Sequence, residues 1–158
     1  MSEPVLELKE VTLRRGRFSL EGVNLSLAGG EILALLGRTG AGKTLLLESA
    51  AGFCAPSGGQ VLFRGQEVRR IPLHRRNIGY LYQEYSLFPH LTAAQNIGYG
   101  LRVRHMRRDE VHRQVQQLAA RFGLERVLDQ YPGTLSGGEQ QRVALARALA
   151  PRPARLLL

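Results

Sequence analysis

The sequence predicts an α/β fold with a parallel-sheet core, and three observations carry that prediction. Short apolar stretches with strand-like alternation occupy the first part of the chain. A glycine-rich loop then joins a continuous apolar run to a segment of helix formers. From Ser86 onward apolar residues recur at helical spacing instead, so a helical block follows the strands.

Val5–Leu13 and Phe18–Leu27 alternate closely enough to form two strands, the second through Val23, Leu25 and Leu27. Gly29-Gly30 turns the chain into Ile32-Leu33-Ala34-Leu35-Leu36. That unbroken apolar run suits a strand buried on both faces of a parallel sheet. Thr44–Ala51 predicts a helix closed by Gly52, and the turn cluster Pro56-Ser57-Gly58-Gly59 leads into a strand over Gln60–Phe63. A further strand is expected over Ile78–Tyr82. Thr92 is placed to cap a helix reaching about Arg102, and Val111, Val115, Leu118, Ala119 and Phe122 define the next one. Ser136 and Glu139 have the Ser-x-x-Glu spacing in which each side chain satisfies the other residue's amide at a helix start. Pro151 and Pro153 end that helix, and Arg155–Leu158 reads as a buried strand beginning.

Composition fits a globular protein, with 44% hydrophobic and 22% charged residues, and chains of 158 residues bury roughly 70% of their unfolded surface. No apolar run approaches the ~18 residues of a membrane span, and Met1-Ser2-Glu3-Pro4 lacks the plan of a secretion signal, so a cytoplasmic location is expected. Cys54 is the single cysteine and has no partner for an internal disulfide. The net charge of +9 would attract polyanions if it were concentrated. The arginines are instead scattered in short groups such as Arg14, Arg15 and Arg17, or Arg75 and Arg76, which describes a solvated basic surface; no nucleic-acid partner is expected.

Gly37-Arg38-Thr39-Gly40-Ala41-Gly42-Lys43-Thr44 fulfils the phosphate-binding loop pattern between an expected strand and an expected helix. Glycines let the backbone form a concave nest of amides, the helix start adds partial positive charge, Lys43 reaches terminal phosphates and Thr44 can ligate Mg2+. A second motif is Leu135-Ser136-Gly137-Gly138-Glu139-Gln140-Gln141-Arg142. Capping accounts for Ser136 and Glu139 but not for two glycines in a first helical turn, each costing about 1 kcal/mol relative to alanine. Close approach of a ligand accounts for them.

This second run is the signature of the ABC ATPase family, which the chain resembles over essentially its whole length, including Gln83 at a strand end. The resemblance implies a P-loop NTPase fold with a parallel-sheet core, early antiparallel strands and a helical insert. The nucleotide-binding core would span residues 1–85, the insert 86–133, and the signature helix with the start of the next strand 134–158. It implies ATP and Mg2+ as cofactors, with Gly37 to Thr44 on the nucleotide, Thr44 and Gln83 on Mg2+, and Gln83 also at the attacking water. Ser136, Gly137 and Gly138 would contact the terminal phosphate held by the loop of a second ATP-binding subunit, in a homodimer. The family's adenine-stacking position, just before Gly16, holds Arg15, while Phe18 lies nearby; the guanidinium plane and the ring both suit stacking, and Phe18 also suits a core strand.

Tyr82–Thr92 resembles the importer branch, where this surface receives membrane permease subunits through the Gln83 to Thr92 region, with Phe88 and Leu91 as apolar contacts. The lean is toward importers of molybdate or sulfate, then polyamine and iron systems, and nothing here binds cargo. The implied function is the ATP-binding subunit of an importer, peripheral on the inner face of the membrane. The family's next strand ends in Asp-Glu and a histidine follows; Leu156–Leu158 match that strand without either carboxylate, and His74, His90, His105 and His112 all precede the signature. The chain is therefore expected to be incomplete at its C-terminus, to bind ATP without hydrolysing it and to be poorly stable alone. Two other classes remain: a non-transport ABC protein acting on nucleic acid, and a non-catalytic nucleotide-binding fragment.

Overall fold

A computed structural model describes residues 4–158, which divide into two compact units meeting between Arg76 and Asn77. In the first unit, β1 (Pro4–Arg15) pairs antiparallel with β2 (Phe18–Ala28) and, on its other edge, with β3 (Gly58–Phe63). The short β4 (Gln66–Glu67) completes the order β2-β1-β3-β4. β1 buries Leu6, Leu8, Val11 and Leu13, a period of two interrupted by a register shift between Leu8 and Val11. The extra residue restores the phase, so both halves present their apolar side chains to the same core. Helix α1 (Lys43–Ala50) buries Leu45 and Leu46. Arg76 donates from Nη1 to the carbonyls of Ala51 (3.4 Å) and Gly52 (2.8 Å), satisfying acceptors that the end of α1 leaves open.

The buried strand expected over Ile32–Leu36 is not formed. No strand is assigned there, and Ile32 and Leu36 are 98% and 93% exposed. A strand exists through its ladder, and no described strand pairs with this run. Apolar sequence supplies the side chains for a doubly covered strand but not the neighbouring backbones.

The second unit holds a parallel pair: β5 (Ile78–Tyr80), two residues shorter than the strand expected to Tyr82, runs alongside β6 (Arg155–Leu157). Between them lie α2 (Ala93–Ile97), α3 (Tyr99–Val103), α4 (Arg108–Phe122) and α5 (Gly137–Leu149). Thr92 caps α2 in a full capping box with Gln95. The helix expected to continue to about Arg102 is split at Gly98, whose backbone sits against Val111 and Val115. Ala93, Ile97 and Leu101 then meet Val111, Val115 and Ala119 of α4 and Val143 and Ala146 of α5 in one core. Full burial of a residue such as Ile97 contributes about 1.5–3 kcal/mol, and this shared apolar core holds α2, α3, α4 and α5 together. α4 ends at Gly123 with φ 63, and Leu124 folds back to donate to Ala119 O at 2.9 Å. Among the described residues no helix is long and apolar enough to cross a membrane.

Candidate functional site

The loop between Gly37 and Thr44 is built by its glycines and by one lysine. Gly40 (φ 83) and Gly42 (φ 89) are left-handed, a conformation other residues adopt only under strain. Gly42 is also crowded: a Cβ there would lie 2.5 Å from Leu20 Cδ1 and 2.7 Å from Phe18 Cζ. The β2 residues Phe18 and Leu20 thus press directly against the loop backbone, and Phe18 is half-buried in doing so. Arg15, its cross-strand neighbour, is exposed, with Nη1 3.6 Å from Glu48 Oε2 on α1.

Lys43 Nζ donates to the carbonyls of Gly37 (2.7 Å) and Arg38 (2.9 Å), closing the loop into a ring. An ammonium has three hydrogens, so one is left for an incoming acceptor. α1 is N-capped by Gly42, which has no side chain to offer, and no acidic residue occupies the first turn. Its first backbone bond runs from Leu46 N to Gly42 O, leaving the amides of Lys43, Thr44 and Leu45 ahead of the ladder. The Thr44 hydroxyl-bearing residue is exposed beside them. Together these make a positively polarised cradle of backbone amides and one ammonium, of the kind that takes phosphate. Arg38, Thr39 and Ala41 are exposed along its rim.

In the second unit Ser136 caps α5 as its spacing with Glu139 predicts. Glu139 N donates to Ser136 Oγ (3.3 Å), and Glu139 Oε2 accepts from Ser136 N (2.8 Å) and Oγ (2.6 Å). The Ser136 hydroxyl and amide hold the Glu139 carboxyl below its ordinary range. Gln140 anchors the preceding loop by donating to the carbonyls of Pro132 and Leu135, both at 3.1 Å. A Cβ at Gly137 would meet nothing within 4 Å, and one at Gly138 would touch only Arg142 Nη1 at 3.5 Å. Among the described residues no steric contact therefore requires glycine at either position.

Gln83 is exposed, three residues beyond the end of β5, at the head of a segment with little regular structure. Two residues that the sequence reading did not single out fix this segment. Asn96 is fully buried; its Nδ2 donates to the carbonyls of Phe88 (3.1 Å), Leu91 (3.0 Å) and Thr92 (3.1 Å), and its Oδ1 accepts from Phe88 N (2.9 Å). Arg147 of α5 donates to the carbonyls of Tyr85 and Ser86, each at 2.8 Å, and its guanidinium lies 5.3 Å from the Phe88 ring centroid. Burial pushes the Arg147 guanidinium below its usual pKa. The signal for Asn96 was present: it shares the Ala93–Ile97 stripe with apolar residues, where an amide needs several partners.

Rings line the outer side of this segment. Phe88 and Tyr99 are 4.4 Å apart at their centroids, and with Tyr80 and Tyr82 they border a hollow of about 400 Å3. A larger hollow, about 870 Å3, is floored by Leu91, Ala94, Met106, Val111 and Val115. Among the described residues no cluster of three or more His, Cys, Asp or Glu could hold a metal ion.

The profile of the ABC transporter family matches residues 20–158. The molybdate/tungstate import ATP-binding protein WtpC of Pyrococcus horikoshii is 42% identical over 98% of the chain. The sulfate/thiosulfate import ATP-binding protein CysA of Caulobacter vibrioides is 45% identical over 97%. The chain spans 45% and 47% of the lengths of these two proteins. Among solved structures, the ATP-binding cassette MJ0796, a dimer in a post-hydrolysis state bound to ADP and Pi, superposes with a TM-score of 0.84 at 31% identity. That match covers 94% of this chain and 70% of the cassette.

Proposed function

The chain belongs to the ABC transporter family, and on that premise we propose that Gly37 to Thr44 bind the phosphates of ATP and that the protein serves as the ATP-binding subunit of an importer. The observation that carries this reading is the loop itself. Two left-handed glycines, a helix start without a side-chain cap, and a lysine with a hydrogen to spare fall within one eight-residue loop. The residues present fit a nucleotide with Mg2+: Thr44 stands exposed at the helix start, where its hydroxyl can reach a cation shared with the phosphates. Bound Mg2+ would neutralise phosphate charge. Gln83 would add a second contact to the cation and orient water. Phe18 and Arg15 flank the loop's approach, and Phe18, already pressed on Gly42, serves chiefly to shape the loop.

Ser136, Gly137 and Gly138 meet the terminal phosphate of a nucleotide held by a second copy. The open space over Gly137 supports this, as does the dimeric state of the solved cassette. The Gln83 to Thr92 segment, with Phe88 and Leu91 bordering its two hollows, receives permease subunits on the inner face of the membrane, and residues 86–133 act as the insert that carries this surface. The import roles of the relatives support this reading.

Calorimetric titration of MgATP into the chain and into Lys43→Ala tests the proposal. Saturable binding that Lys43→Ala abolishes and Ser136→Ala leaves within about threefold is expected, since Ser136 serves another subunit's nucleotide. No binding by the wild type, or equal binding by Lys43→Ala, defeats it.

A further inference from the structure

Gln83 lies on an exposed segment outside any strand or helix, yet a residue that orients water or a cation must be held to within a fraction of an ångström. The chain turns sharply just after it. Tyr85 (φ 57) and Ser86 (φ 45) are both left-handed although neither is glycine, a conformation that is strained for residues with a side chain. Such a bend relaxes unless something over-determines it. The Tyr82–Tyr85 turn bond, Tyr85 N to Tyr82 O at 2.9 Å, closes one side. The only side chain among the described residues that holds the carbonyls of the bend itself is Arg147, ten residues into α5 from the Gly137 end.

We propose that Arg147 is a positioning residue for Gln83: its guanidinium fork, gripping the Tyr85 and Ser86 carbonyls and lying over Phe88, registers the Gln83 segment on the signature helix. The chemistry requires arginine. Two parallel donors on one rigid plane match two successive carbonyls while the flat face stays free for the ring, and a lysine offers a single point charge. No carboxylate forms an ion pair with Arg147 among the described residues, so the grip rests on carbonyl dipoles and the π face and does not depend on the ionisation of an acidic neighbour. α5 is itself fixed by fully buried Val143, Ala144 and Ala146, which flank Arg147 on the helix. The clamp therefore ties the Tyr85–Ser86 bend to the core, as Asn96 ties Phe88 to Thr92. Its functional meaning rests on the reading of Gln83 given above; its mechanical content does not.

The test is a distance distribution by pulsed electron resonance between spin labels at Gln83→Cys and Gln141→Cys, in the full chain with Cys54→Ser and without nucleotide. A narrow distribution is expected with Arg147, at least twofold broader in Arg147→Gln, and intermediate in Arg147→Lys. Val143→Ala, which weakens the same helix through its packing, serves as the control and should leave the width unchanged. Equal widths with and without the guanidinium, or equal broadening by Val143→Ala, would mean that Arg147 only stabilises the fold and would overturn the proposal. If Arg147→Gln does not fold, the Arg147→Lys width decides. A chain that binds no ATP but shows the expected broadening defeats the nucleotide reading and leaves this one standing.

Discussion

Replacing Gly42 by alanine puts the loop's construction to a quantitative test. At φ 89 an alanine bears roughly 1–2 kcal/mol of backbone strain. Its methyl would also lie 2.5 Å from Leu20 Cδ1 and 2.7 and 2.9 Å from the Phe18 ring. The leucine end can swing aside, but the ring edge cannot without moving β2, and overpacking of this kind costs about 1–3 kcal/mol. The sum is about 2–5 kcal/mol. An exposed loop relieves such a load by deforming rather than by unfolding the sheet beneath it, so the loss falls on the cradle. At 1.4 kcal/mol per tenfold, MgATP affinity should fall by a factor of about 30 or more, while the thermal midpoint moves by only a few degrees. Calorimetry on the wild type and Gly42→Ala, with thermal unfolding followed in parallel, reads both. An alanine variant that binds MgATP within threefold of the wild type would refute the claim that Gly42 is needed for the cradle's shape. An additional Phe18→Ala change should recover part of the lost affinity, because it removes the ring that the methyl strikes.

Other outcomes follow from the same geometry. Asn96→Ala strips a buried amide from Phe88 N and the Phe88 and Leu91 carbonyls, at about 1–3 kcal/mol per group left unpaired; a loss of about 3 kcal/mol or more is expected in urea unfolding, and a loss under 1 kcal/mol would contradict this anchoring role of Asn96. Because Ser136 lowers the Glu139 pKa, the capping interaction stabilises the fold above the ordinary carboxylate pKa and is lost as pH falls through the lowered value. The stability advantage of the wild type over Glu139→Ala should therefore shrink on acidification, and an advantage that grows in acid would show the sign to be wrong. Ile32 and Leu36 present an exposed apolar run without ladder partners, so light scattering should show self-association that Ile32→Lys with Leu36→Lys reduces; unchanged scattering would place the sticky surface elsewhere.

The sequence was most legible where local chemistry decides structure. Ser136 with Glu139 forms the capping box its spacing implies, and Thr92 caps its helix as expected, because a cap needs only residues within one turn. The glycine loop was equally readable, since left-handed backbone and a neighbouring lysine are written in adjacent positions. Ile32–Leu36 misled because apolar content specifies a wish for burial, whereas a strand requires neighbouring backbones that no local pattern guarantees. The close approach of Val111 and Val115 to Gly98, where the helix divides, was hidden for a related reason: these residues come from a different helix. Arg147 was invisible among many arginines, because its partners are carbonyls more than sixty residues earlier in the chain. The ring contact of Phe18 with Gly42 likewise joins two segments that sequence proximity does not connect.

The central claim is that the nucleotide sits in the Gly37–Thr44 cradle, and backbone hydrogen exchange with and without MgATP tests it most directly. The amides of Lys43, Thr44 and Leu45 should slow on nucleotide addition, since they lie ahead of the α1 ladder, and Lys43→Ala should erase that protection. Protection that appears elsewhere while residues 43–45 exchange at their unliganded rate would contradict the account.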